Sequence, residues 1–153
     1  MRGIYRDTLG ASRQWQDVQL RPNFCIAMAV APELFEAGHA KTALQTASAL
    51  IGPLGMCTLD PTHKEYRGDY HNDDDSSDQS VAHGWNYHQG PEWVWPLGFF
   101  LEAFHQFGDG GAMRWLQAHR QMLRKAPWRS LPELTNSTFV RSLRECPCMA
   151  SMA

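Results

Sequence analysis

The run Asn86-Tyr87-His88-Gln89-Gly90-Pro91-Glu92-Trp93-Val94-Trp95-Pro96 gathers two indoles, an imidazole, two amides, a phenol and a carboxylate where a polar, acidic region gives way to an apolar one. Flat aromatic faces beside hydrogen-bonding side chains suit a sugar, since a pyranose offers apolar C–H patches on its faces and hydroxyls around its rim. Pro91 fits the first turn of a helix, where its missing N–H is no loss. Glu92 behind it would meet the positive end of the helix dipole. The pattern therefore predicts that His88 to Gly90 lie on the lip of a cavity, just ahead of a buried helix. The plainer alternative is a Trp-rich helix start packed into a core.

The elements that must position these residues can be read from apolar spacing. Residues 4 to 20 mix Gly, Ser and charge without period and read as an ordered loop. Arg21-Pro22-Asn23-Phe24 opens a first helix, with Phe24, Ala27, Met28 and Ala31 on one face and Pro32 as its stop. A second helix runs from Pro32 or Glu33 to Ile51, its apolar residues Ala37, Ala40, Leu44, Ala47 and Ile51 spaced 3, 4, 3 and 4. Gly52-Pro53 ends it. From Leu54 to Gly90 there is no helical period, and so long a loop in a compact domain is a candidate for function. Its acidic stretch fails as a calcium loop: counting from Asp73, the sixth position is Asp78 where glycine is needed, and the twelfth is Gly84 where a bidentate Glu should stand. A third helix spans Pro91 to Phe107, with Trp93, Leu97, Phe100, Leu101 and Phe104 inward. After the Gly108-Asp109-Gly110-Gly111 connection, a fourth runs from Ala112 to Lys125, burying Leu116, His119 and Leu123 until Ala126-Pro127 ends it. His39, His63, His105 and His119 stand alone, and no His or Cys pair has zinc spacing, so neither metal nor other cofactor is expected. About four helices in two pairs, joined by a long irregular loop and without a convincing strand, make the expected class all-α.

The chain has 153 residues, 43% hydrophobic and 20% charged, enough for one soluble domain with a core. A net charge of −2 gives no electrostatic ground for nucleic acid or an anionic membrane as partner. Arg120, Arg124, Lys125 and Arg129 read as the solvated face and end of the fourth helix. No apolar run approaches the roughly 20 residues that span a bilayer, and no secretory core follows Met1-Arg2-Gly3, so a cytoplasmic location is expected. Cys25, Cys57, Cys146 and Cys148 show no framework spacing and are expected as free thiols.

Several blocks, in order, carry a resemblance: Arg21-Pro22-Asn23-Phe24, Ala31-Pro32-Glu33-Leu34-Phe35, Gly52-Pro53-Leu54-Gly55-Met56, Thr58-Leu59-Asp60-Pro61, Asn86 to Pro96, and Leu131-Pro132-Glu133-Leu134-Thr135-Asn136. Across Tyr5 to Asn136 the chain resembles the C-terminal glucosidase region of eukaryotic glycogen debranching enzymes. The resemblance implies an (α/α)6 toroid whose central pocket hydrolyses the α-1,6-linked glucose stub at a glycogen branch, with inversion. In that chemistry an acid protonates the glycosidic oxygen while a base activates water from the opposite face, the two carboxyls standing roughly 6.5–9.5 Å apart. It implies Glu133 as the general base, with Glu92 as rival, and Tyr87, His88, Gln89, Trp93 and Trp95 around the glucose, with Arg21 and Asn23 nearby. For Arg21 and Asn23 a helix-start role is an equal alternative.

The departures shape the expectation equally. The family's acid is an aspartate on a helix upstream of this sequence, four helices are a minority of those in the ring, and residues 137–153 diverge, with Cys146-Pro147-Cys148-Met149 a faint echo of a family segment. Residues 1–136 are therefore expected to be part of a glucosidase domain and 137–153 a divergent tail. The whole would be a fragment or variant with a half-site for glycogen or limit dextrin and little turnover alone. Inner helices without neighbours would favour self-association. The alternative is a non-catalytic α-glucan-binding or interaction module.

Overall fold

The computed structural model describes residues 3–79, 83–127 and 129–137. Helix α1, Asn23–Val30, turns Phe24, Cys25 and Met28 inward. Ala27, expected on that face, is exposed, and Cys25 takes the inner place. Burial pushes the Cys25 thiol up to about 12. Among the described residues neither Cys25 nor Cys57 is in a disulfide.

The second helix is shorter than its spacing suggests. Pro32–Leu34 form a separate 3-10 turn, and helix α2 covers only Ala37–Ala47. Its start is set by Glu36, which stays extended while its carboxylate accepts the N–H groups of Gly38 at 2.9 Å and His39 at 2.7 Å. These bonds satisfy donors that a helix leaves open at its first turn and hold the Glu36 carboxyl below its ordinary range. Ala40, Ala43, Leu44 and Ala47 are fully buried, whereas Ala37 lies outside. The last turn tightens through Ser48–Leu50, and Ile51 leaves the helix to bridge Met56.

The long middle region carries the main correction to the all-α expectation. Strands β1 (Met56–Cys57), β2 (Glu92–Trp93) and β3 (Leu134–Thr135) form an antiparallel sheet in that order. Met56 pairs with Trp93 and Cys57 with Glu92 on one side, and Trp93 with Leu134 and Glu92 with Thr135 on the other. Pro91 does not start a helix: its carbonyl accepts from the backbone N–H and the hydroxyl of Thr58, both at 3.2 Å, which keeps the chain extended. Gly55 makes the approach of β1 to β2 feasible, since a Cβ there would sit 2.0 Å from the Trp93 carbonyl oxygen. Among the described residues between β1 and β2 lies one short helix, α3, His83–Asn86.

Helix α4, Trp95–Phe107, begins with Pro96 in its first turn and packs on α1 and α2. Leu97, Phe100, Ala103 and Phe104 are its inner face; each fully buried large side chain contributes about 1.5–3 kcal/mol over exposure. The fourth predicted helix splits into a 3-10 segment, Ala112–Leu116, and α5, Gln117–Lys125. Trp115 meets Phe100 and Phe104 edge-on, and His119 is buried, but Leu123, expected inside, is 40% exposed. The described residues are thus mostly helical with a small sheet, and among them no helix is long and apolar enough to cross a membrane. The expected tail beyond Ser137, including Cys146 and Cys148, lies outside the described residues.

Candidate functional site

The site begins ahead of α1, where the segment read as a loop closes in a 3-10 turn, Gln14–Val18. Asp17 is buried, and its carboxylate accepts the Thr8 hydroxyl at 2.7 Å and the N–H groups of Ala11 at 2.9 Å and Gly10 at 3.0 Å. Those bonds hold its carboxyl below the ordinary aspartate range, the Thr8 hydroxyl most strongly. The Asp17 carbonyl also takes the Asp7 N–H at 3.0 Å, so the same anchor fixes the backbone that presents Asp7. The Asp7 carboxylate in turn accepts the Asn23 amide at 2.7 Å and faces Arg21 Nε at 3.8 Å.

Arg21 joins three stretches of the chain, at Gln19, at Thr58 and at His88–Gln89. Its Nε donates to Gln19 Oε1 at 3.0 Å, its Nη1 to the carbonyls of Thr58 at 2.9 Å and His88 at 2.7 Å, and its Nη2 to Gln89 Oε1 at 3.3 Å. Burial lowers its pKa from the usual arginine value, and Asp7 opposes that shift. Gln89 continues the brace: its Nε2 donates to the Glu65 carbonyl at 3.1 Å and its own carbonyl accepts the Arg67 N–H at 2.7 Å. Gly90 follows at φ 154°, where a Cβ would stand 2.3 Å from the Arg67 carbonyl oxygen.

The aromatic part rests on Trp93. Its ring is buried because Nε1 donates to the Tyr87 carbonyl at 3.0 Å, so the one polar atom of the indole is satisfied. Tyr87 packs edge-on against Trp93 at 4.7 Å and against Tyr70 at 5.3 Å, and His88 lies 5.5 Å from Trp93. Trp95, two residues on, is 52% exposed. Asn86 anchors the approach, its amide donating to the Gln79 carbonyl at 2.9 Å.

A cavity of about 330 Å³ opens between these groups, lined by Asp7, Arg21, Asn23, Thr58, His88, Trp93 and Trp95 together with Pro22, Ile26 and Pro96. That volume is at the small end of ligand pockets, which suits one sugar ring better than an extended chain. Polar groups and indoles share its wall. Of the residues singled out from sequence, Arg21, Asn23, His88, Trp93 and Trp95 meet here. Tyr87 and Gln89 stand behind it, as ring packing and as brace.

The two glutamates part company. Glu92 lies in β2, not in a helix turn; it is buried, and its carboxylate accepts the Leu54 N–H at 2.6 Å. It also packs on Gly52, where a Cβ would come within 1.9 Å of Oε2. Its geometry is that of a structural clamp on the turn before β1. Glu133 is exposed just before β3, and its carbonyl accepts the Val94 N–H at 3.1 Å, directly after Trp93. Its side chain is not part of the cavity wall, but its charge acts on Tyr70, whose phenol is raised first by burial and then by Tyr87 and Glu133. Asp7, at the cavity, was not singled out by any sequence pattern; the only local hint is an acid next to Thr8 in a Gly-containing turn.

The cavity joins braced polar groups to indoles, and comparison with known proteins supplies the family. The sequence model of the family described as amylo-alpha-1,6-glucosidase matches residues 1–152. The glycogen debranching enzyme of Saccharomyces cerevisiae is 44% identical over 155 residues, covering 88% of this chain and 10% of the yeast protein. The chain thus spans about a tenth of that relative's length, and on this match it belongs to the amylo-α-1,6-glucosidase family.

Proposed function

We propose that this chain carries part of an α-1,6-glucosidase site, the part that seats the terminal glucose of a glycogen or limit-dextrin branch stub. The observation that carries the reading is the meeting of Arg21, Asn23, His88, Trp93 and Trp95 at one cavity of single-sugar size. Glu133 is the general base that the family resemblance implies, exposed just before β3, whereas Glu92 is committed to the Leu54 N–H. The reaction is hydrolysis with inversion, so it needs a second carboxyl to protonate the leaving oxygen. That acid belongs to a part of the glucosidase domain outside this sequence, and the chain alone binds without efficient turnover.

In this reading residues 1–136 are a portion of an (α/α)6 ring of a cytoplasmic enzyme, and 137–153 a divergent tail. Val30 and Leu34, 71% and 76% exposed at the end of α1 and in the turn after it, belong to the surface that neighbouring ring helices cover, and without them the chain self-associates. Hydrolysis of limit dextrin and of α-glucosyl fluoride by the chain alone tests the incomplete site. Little glucose release is expected; enzyme-like release would overturn the proposal.

A further inference from the structure

We propose that Asp7 is a specificity-determining residue that accepts a hydroxyl of the bound glucose, an assignment that rests on the glucose-site reading above. Its side chain is nine-tenths buried yet borders the cavity. A carboxylate has about four lone-pair positions. The Asn23 amide takes one on Oδ1, at 2.7 Å. Arg21 Nε, 3.8 Å from Oδ2, is beyond hydrogen-bond length, so Oδ2 keeps acceptor capacity.

Four of the five N–H groups of Arg21 are already spent, including the Nε–H that faces Oδ2. Those four point at Gln19, Thr58, His88 and Gln89, which fixes the guanidinium and sets its charge beside Asp7 without closing on it. Asp17 holds the Asp7 backbone from the other side. The result is an anionic acceptor positioned before any ligand arrives, in the cavity where Trp93 and Trp95 offer apolar faces. Indoles hold a pyranose ring but distinguish its hydroxyls poorly, whereas a site built to bond a hydroxyl discriminates strongly against the analogue lacking it. With Oδ1 engaged by an amide donor and Arg21 alongside, Asp7 orients and selects.

The test measures binding of methyl α-glucoside and its four monodeoxy analogues to the full chain, wild type and Asp7→Asn. The amide oxygen of the variant can still accept from Asn23, so the loop keeps its anchor. Wild type is expected to bind one deoxy analogue at least about tenfold more weakly than the parent, as for a hydrogen bond to a charged group, and Asp7→Asn to bind the two about equally. If wild type and Asp7→Asn discriminate alike, the Asp7 assignment falls and the glucose site stands. If wild type binds none of the glucosides, both fall. Should the variant fail to fold, the side-chain carboxyl ¹³C resonance of Asp7 in the wild-type chain decides: it must move on titration with methyl α-glucoside and stay still with the discriminated analogue. A resonance that does not respond to the parent sugar overturns the assignment.

Discussion

Arg21 Nη1 donates to the carbonyl of His88, 67 residues further along the chain, at 2.7 Å. That bond ties the entrance of α1 to the aromatic segment ahead of β2, and the same nitrogen reaches the Thr58 carbonyl at the end of β1. Arg21→Ala leaves these carbonyls without their donor and is expected to destabilise the chain by about 2–4 kcal/mol. Arg21→Lys, which lacks the planar fork, should recover only part of that. Urea unfolding of the three proteins checks the order.

Trp93 and Trp95 should separate stability from binding. Trp93 is buried and bonded through Nε1, so Trp93→Ala is expected to lose about 3–5 kcal/mol and the fold around the cavity. Trp95 is half exposed; Trp95→Ala should change the unfolding midpoint little while weakening α-glucan binding. Parallel thermal melts and glycogen pull-down read the two effects.

The glutamates should divide in the same way. Glu92→Ala strands the buried Leu54 N–H and opens a void beside Gly52, for an expected loss of about 2–4 kcal/mol. Glu133→Gln alters an exposed group and should stay within about 0.5 kcal/mol of wild type. Equal destabilisation by both in urea would contradict a clamp at Glu92 and a surface carboxylate at Glu133.

Acid should release the Asp7 loop. The folded pKa of Asp17 is depressed by the Thr8 hydroxyl and by the N–H groups of Ala11 and Gly10. A depressed carboxyl contributes stability that is fully present above the unfolded value of about 3.9 and is lost as pH falls through the folded value. Asp17→Asn should therefore lower stability at neutral pH and flatten the decline below about pH 4, seen in urea midpoints measured across that range.

How far the sequence spoke depends on whether a residue's role is local. Ala40, Leu44 and Ala47, or Leu97, Phe100 and Phe104, repeat with the helix period, and their burial was legible. The clustering of His88, Trp93 and Trp95 was legible too, because those residues are neighbours in the chain. The sheet was not: two-residue strands carry no alternation, and Glu92 behind Pro91 looks like a helix start until Cys57 and Thr135 are brought to either side of it. Glu36 hid in the same way, since a capping carboxylate is an ordinary acid until the backbone bends beneath it. Asp7 gave no signal because its surroundings are assembled by Asp17, Arg21 and Asn23.

Native electrophoresis of the full chain, with and without glycogen in the gel, tests the central claim that this cavity seats α-glucose. Migration is expected to be retarded by glycogen, restored by excess methyl α-glucoside, and unretarded for Trp95→Ala. Equal mobility of the wild-type chain in both gels would contradict it.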